Sequence, residues 1–265
     1  MLYNIIVIFV QNLFFMHSIK MLLLIILNSL CAASWAQPFD TVRVQQADGF
    51  EMIQVLGNKN ILAEGLWKNG SKEGTWNSYW ETGFPQEIIS YHNNLKNGLY
   101  IKTGADGFIE QMASYANDEL NGPLRIYNKG AFILEEVYYK KGKKYGSYNK
   151  WYINGKKQEQ CTYINDQKDG LCTWYYENGN KAAEYNYKNG KLEGKVKSYN
   201  EQGKVSEQGQ YIQDEQSGIW QEFYEDGQLK AEGQYLHGEK EGVWKQYNEK
   251  GKALPNVKYA KGTII

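Results

Sequence analysis

Gly170-Leu171-Cys172-Thr173-Trp174-Tyr175-Tyr176-Glu177-Asn178-Gly179 is a short aromatic-rich run closed by Glu-Asn-Gly. Aromatic and β-branched residues suit a pleated surface, and Asn-Gly supplies the positive φ angles of a tight hairpin turn. Ile153-Asn154-Gly155, Glu201-Gln202-Gly203 and Glu225-Asp226-Gly227 stand at the same point of sister stretches. A second run follows each turn, as in Gln228 to Tyr235. A second turn region, as in Asn186 to Gly194, leads into the next unit. Each unit therefore reads as two strands of about 5–7 residues joined by two turns.

The unit recurs. Trp67, Tyr91, Tyr115, Tyr139, Tyr163, Tyr187, Tyr211, Tyr235 and Tyr259 each stand 24 residues after the one before, and form the expected structural core of the repeat. Glycines keep the same step in one series from Gly74 to Gly242, and in another from Gly83 to Gly251 where Gly130 alone falls a residue early. Three series in phase are the mark of a repeat architecture. Two glycines per unit would interrupt any helix at about 1 kcal/mol each, and no apolar stripe of helical period survives between them. The predicted fold is all-β: an elongated single antiparallel sheet of tandem 24-residue hairpins, with roughly 17 strands at about 4.8 Å spacing. Residues 37–56 read as a degenerate N-terminal cap and 57–265 as the repeat array.

Composition narrows the function. The chain of 265 residues carries 30 Lys+Arg against 30 Asp+Glu, a formal net charge of +0. That balance, with no run of like charge, speaks against nucleic acid as a partner. An aromatic share of 15% speaks against disorder. Three Cys and three His leave little for a multi-ligand metal site, and no cofactor motif is present. His92 and His237 lie in no recognisable nucleophile, zinc or phosphate-loop pattern, so catalysis is not expected.

Residues 1–36 differ from the rest. Two apolar runs, Tyr3 to Phe15 and Met21 to Leu30, flank His17-Ser18-Ile19-Lys20. Lys20, the apolar run after it and the small residues Cys31 to Ser34 have the order of a secretory signal, with cleavage expected after Ala36. Met16 is a plausible alternative start. A retained membrane anchor is the competing reading, although neither run reaches the ~20 apolar residues of a spanning helix. Lipidation at Cys31 is a third, behind a poor lipobox. The expected location is thus exported: periplasmic, outer-membrane-associated or secreted, and membrane-anchored if the segment is kept.

The combination Gly218-Ile219-Trp220-Gln221-Glu222-Phe223-Tyr224-Glu225-Asp226-Gly227, followed by Tyr235 and Gly238, resembles the MORN repeat in its bacterial variant form. Trp76 with Tyr79 and Trp244 with Tyr247 fill the same slots, and the resemblance covers about residues 57–265. It implies a curved antiparallel sheet used for protein or membrane contacts, without catalysis. Bacterial proteins of this kind are often labelled antitoxin-like, a role that an export signal does not suit. Two units depart from the pattern, with Thr103-Gly104 and Leu124 in aromatic slots. A choline- or glucan-binding wall repeat looks superficially similar, but its shorter period and closing Gly-Trp pair are missing.

Three groups of residues are candidates for more than packing. Trp80, Tyr152, Tyr176 and Tyr224 each follow another aromatic directly. Because neighbours along a strand face opposite sides, these four form a candidate contact surface. The 24-step aromatics have two readings: stacking between units, which burial favours, or an exposed row that grips sugar rings or a peptide. Cys161 and Cys172 flank Asn165 to Asp169 and face each other if the turn centres between Asp166 and Gln167. A disulfide then becomes available in an oxidising compartment, whereas a one-residue slip leaves two unrelated strand residues. The expected function is a non-enzymatic scaffold at the cell envelope that binds a protein partner. Envelope glycan binding, contact with a membrane surface and antitoxin-like neutralisation are the alternatives.

Overall fold

A computed structural model describes residues 39–58 and 60–265. The signal, cleavage point and lipidation site read from residues 1–36 lie outside the described residues. Within Phe39–Ile265, a compact unit of its own, the chain forms one antiparallel sheet of 22 strand segments. The only helical element among the described residues is the three-residue 3-10 turn Ala47–Gly49. Strand follows strand in chain order, from Asp40–Gln45, paired with Phe50–Gly57, to Ala253–Ala260, whose end pairs with the stub Thr263–Ile264. The segment count exceeds the expected 17 because the hairpins extend into residues 40–57, because two strands are interrupted, at Asn121 and Asp169, and because the stub Thr263–Ile264 adds one more.

The two turns of each unit differ in kind, and the tight hairpin turn expected at Glu-Asn-Gly is found at the second turn instead. Positive φ at both central residues, the type I′ signature, occurs at the second turn: Asn165 (49°) with Asp166 (69°), and Asn189 (51°) with Gly190 (81°). At Glu177-Asn178-Gly179 only Gly179 turns left-handed, with φ 95°. Its N–H donates to the Tyr176 carbonyl at 2.9 Å, while the Tyr176 N–H donates to the Asn180 carbonyl at 2.8 Å. That is a type I turn completed by a left-handed glycine. The other glycine series, Gly74 to Gly242, lies beyond the I′ turn, inside the strand, where the register slips by a β-bulge.

The apparent misplacement of Gly130 has a simple cause. The left-handed slot of that unit is held by Ala131, with φ 62°, and Gly130 is a neighbour of ordinary conformation. The repeat keeps its 24-residue step there, with an alanine where its sisters have glycine. A left-handed L-residue costs about 1–2 kcal/mol. Ala131→Gly is expected to stabilise the protein by about 1 kcal/mol in chemical denaturation; an unchanged or lower midpoint contradicts this account.

The buried side chains lie in one row that crosses the strands, not in a sandwich between layers. Trp76 faces Ile89, Tyr100 faces Ala113, Tyr148 faces Cys161, and Trp220 faces Gly233 across successive ladders. The occupants vary from unit to unit, and they vary in pairs. Trp76, Trp220 and Trp244 each lie across a glycine of the preceding strand, Gly65, Gly209 and Gly233, where an added Cβ would clash with the indole ring. Each indole N–H then donates to the carbonyl just past that glycine, on Leu66, Gln210 and Gln234, at 2.7, 3.2 and 3.2 Å. Where the indole is absent, the preceding strand carries bulk: Ile89 beside Tyr100, Val137 beside Tyr148, and Tyr185 beside Val196.

Candidate interaction surface

The 24-step aromatics stand next to this row on the same face. Tyr211, Trp220, Tyr235, Trp244 and Tyr259 form a chain of edge-to-face pairs with centroid distances of 5.3, 5.6, 5.3 and 6.2 Å. Such geometry sets the positive ring edge on the negative ring face. Tyr91, Tyr115, Tyr139, Tyr163, Tyr187, Tyr211, Tyr235 and Tyr259 all pack, partly buried, against the buried clusters, and Trp67 meets Trp76 at 6.0 Å. A lysine row covers them. Lys72, Lys96, Lys144, Lys168 and Lys240 each hold Nζ over rings on this face, the closest being Lys240 over Trp244 at 3.8 Å. The cation leaves these rings half-buried beneath a polar lid.

Carboxylates border the lysines. Glu207 and Glu222 are direct cross-strand partners, and Lys240 Nζ lies 3.5 Å from Glu222. Desolvation, then the charge of Glu222, raise the Glu207 carboxyl above the usual glutamate range, with Lys240 opposing. The folded state therefore holds its proton more tightly than the unfolded chain. Stability from this group is complete below the ordinary glutamate range and lost as pH rises through the raised value. Glu207→Gln is expected to raise the melting temperature at pH 7 relative to wild type and leave it unchanged near pH 4. Equal gains at both pH values argue against the linkage.

Tyrosine–carboxylate pairs tie neighbouring strands elsewhere. Tyr199 Oη donates to Glu184 at 2.6 Å, and burial with that bond pushes the phenol up to about 12. Tyr79 on Glu64 and Tyr100 on Glu87 repeat the arrangement at 2.6 and 2.7 Å. These are structural ties. His92 and His237 lie exposed beside Glu73 and Glu215, and among the described residues no group of ligating side chains is placed to hold a metal.

The four turn aromatics have a role inside the fold. Tyr152, Tyr176 and Tyr224 donate their hydroxyls to the carbonyls of Tyr175, Tyr199 and Tyr247 at 2.7–2.8 Å, one unit further along. Trp80 does the same with its indole N–H to Thr103, at 3.1 Å. All four are half-exposed, with their polar heads engaged in the tie between units.

Cys161 and Cys172 face each other and are bonded, with Cα atoms 4.3 Å apart. The pairing holds although the turn is not centred between Asp166 and Gln167 as expected. The turn centres between Asn165 and Asp166, pairing Ile164 with Gln167. The bulge at Asp169 and Gly170, whose φ is 90°, then advances the register by two, so that Gln160 meets Thr173 and Cys161 meets Cys172.

The opposite face is less covered. Gln208 donates to Gln221 and Gln221 to Glu232, both at 2.6 Å, in a polar ladder. Leu99, Leu171, Ile219 and Val243 project from this face in separate units, with Ile219 and Val243 more than half exposed at 59% and 52%. A shallow depression next to Ile219 is lined by Lys195, Lys197, Gln208, Gln210 and Gln221. Sequence reading missed these aliphatics, yet a cue was present: each sits between a series glycine and a core-row residue, as in Gly218-Ile219-Trp220, and strand alternation sends it to the far side.

With this geometry in place, three consecutive stretches, 168–189, 192–213 and 216–237, match the family model described as the MORN repeat variant. These units are MORN repeats. The matched segments begin at Lys168, Leu192 and Gln216, the slot occupied by Lys72, Lys96, Lys144 and Lys240 in other units. The same row of 24-step aromatics continues on both sides of the MORN units, to Trp67 and to Tyr259. No curated protein matches the chain. Among the described residues no helix is long and apolar enough to cross a membrane.

Proposed function

We propose that the protein is a non-enzymatic, exported scaffold at the cell envelope that binds a protein partner along its sheet. The observation that carries this reading is the pair Ile219 and Val243, one unit apart in an outward-facing slot of the repeat and more than half exposed, with Leu99 and Leu171 in the same slot of other units. Thr75, Pro123, Ser147 and Lys195 hold this slot in the other units, so the apolar surface is local to a stretch of an array whose units contact only their neighbours. Export is supported by the Cys161–Cys172 bond, which persists in oxidising compartments. For the glycan alternative, Trp80, Tyr152, Tyr176 and Tyr224 offer ring faces but no polar heads, since these are bonded within the fold. The MORN match carries the repeat and says nothing for an antitoxin role.

The test uses a replacement that the chain already tolerates, since Lys195 occupies this slot in one unit. Ile219→Lys with Val243→Lys is expected to leave the melting curve within a few degrees and to abolish capture of envelope proteins crosslinked to the wild type. Capture that survives both substitutions removes this face from the proposal.

A further inference from the structure

The residue after the left-handed position of each type I turn reaches across to the next turn of the sheet. In the later units this slot holds Lys156, Asn180 and Lys204. Each makes a polar tie there: Lys156 to the Asn178 carbonyl at 2.6 Å, Asn180 to Glu201 at 2.7 Å and Lys204 to Asp226 at 2.8 Å. In three consecutive earlier units the same slot holds Phe84, Phe108 and Phe132, which can donate nothing. Their rings are 48%, 38% and 64% exposed, and Ile153 on the following turn is 77% exposed. The fold fills this slot with a polar residue elsewhere; the Phe84 ring packs on Gly107 of the next turn, and it is the ring area left exposed that an outside partner can cover. The phenylalanines form an apolar strip along one edge of the sheet.

Spacing and area identify the occupant. Successive phenylalanines are two strands apart, about 9.6 Å. An α-helix places residues seven apart on one face at about 10.5 Å, close enough to stay in step over three contacts. An extended peptide repeats one face at about 6.8 or 13.6 Å and misses every second ring. The strip exposes on the order of 300 Å², well short of the ~800 Å² per partner of a stable dimer. A second folded copy is thus a poor fit, and a short helix is a good one. We propose that Phe84, Phe108, Phe132 and Ile153 dock an amphipathic helix of a partner protein, with its apolar residues at heptad spacing. This deepens the scaffold reading and rests on it, at a site separate from the Ile219 face.

The test measures fluorescence polarisation of a labelled 21-residue amphipathic peptide with leucine at heptad spacing. A second peptide of equal composition, with leucine at alternate positions, serves as the control. Full-length protein is expected to bind the heptad peptide at least tenfold more tightly than the control. Phe84→Gln, Phe108→Lys and Phe132→Lys together install residue types found in this slot of other units, and are expected to erase the difference while the circular dichroism stays unchanged. Equal binding of the two peptides, or binding unaffected by the triple variant, overturns the helix site and leaves the Ile219 face to its own experiment. Sedimentation with phosphatidylcholine vesicles, or self-association, that is abolished by the same variant also overturns it, in favour of a lipid surface or a second copy.

Discussion

Gly233→Val is expected to destabilise the protein by about 3–5 kcal/mol, comparable to deleting a buried tryptophan. The Cβ it introduces clashes with the Trp244 ring, and the sheet backbone beneath cannot retreat without breaking its ladders. Trp244 must leave its buried place, losing its edge-to-face contacts with Tyr235 and Tyr259 at 5.3 and 6.2 Å and its bond to the Gln234 carbonyl. Circular dichroism in denaturant reads the loss, and hydrogen exchange locates it in strands 229–260, because repeats communicate chiefly with their neighbours. The chain also supplies the remedy. Ile89 beside Tyr100 fills the same slots with the bulk redistributed, so Gly233→Ile with Trp244→Tyr is expected to recover more than half of the stability. Two costs that simply add in the double variant would refute the shared-volume account.

This exchange of bulk explains what was legible beforehand. The 24-step tyrosines and glycines repeat almost without change because each answers to a fixed local demand, a ring beneath a lysine or a left-handed backbone. They were enough to give the strand order and the single sheet. The slot of Trp76, Trp220 and Trp244 was legible by itself, whereas the pairing behind it was hidden because its constraint belongs to pairs eleven residues apart: Trp220 needs Gly209, and Val196 needs Tyr185. No single position in the buried row keeps one residue type, so a search for periodic identity passes over the pairing. The strip of Phe84, Phe108 and Phe132 was hidden differently. It is periodic for three units only and then yields to Lys156 and Asn180, as expected of a local surface within a uniform frame. The turn aromatics were legible as leaving the core row, while their hydrogen bonds to the next unit depend on a geometry that residue order does not carry.

Loss of the disulfide is expected to cost about 3 kcal/mol by the loop-entropy relation for a separation of 11 residues, and to change the form of unfolding as well. Cys161 and Cys172 close one buried cluster, with Val137 and Tyr148; the next contains Val196, Trp220, Ala231 and Trp244. The link between the clusters runs through Trp174 against Tyr185, at a centroid distance of 5.6 Å. At the two cysteine slots other units place Trp, Tyr or Leu against a complementary neighbour, whereas here two small side chains meet. The covalent bond compensates for bulk missing at this junction. Cys161→Ala with Cys172→Ala, or reduction of the wild type, therefore leaves the weakest interface near the middle of the array. A one-dimensional chain of repeats separates at its weakest interface. Denaturant curves are expected to pass from one transition to two, with strands 191–260 retaining protection from hydrogen exchange after strands 143–175 have lost it. Thiol titration of denatured, unreduced mature protein gives the prior check: no reactive thiol from Cys161 or Cys172 is expected, and two thiols, or a single transition unchanged by reductant, would show that packing alone holds the junction.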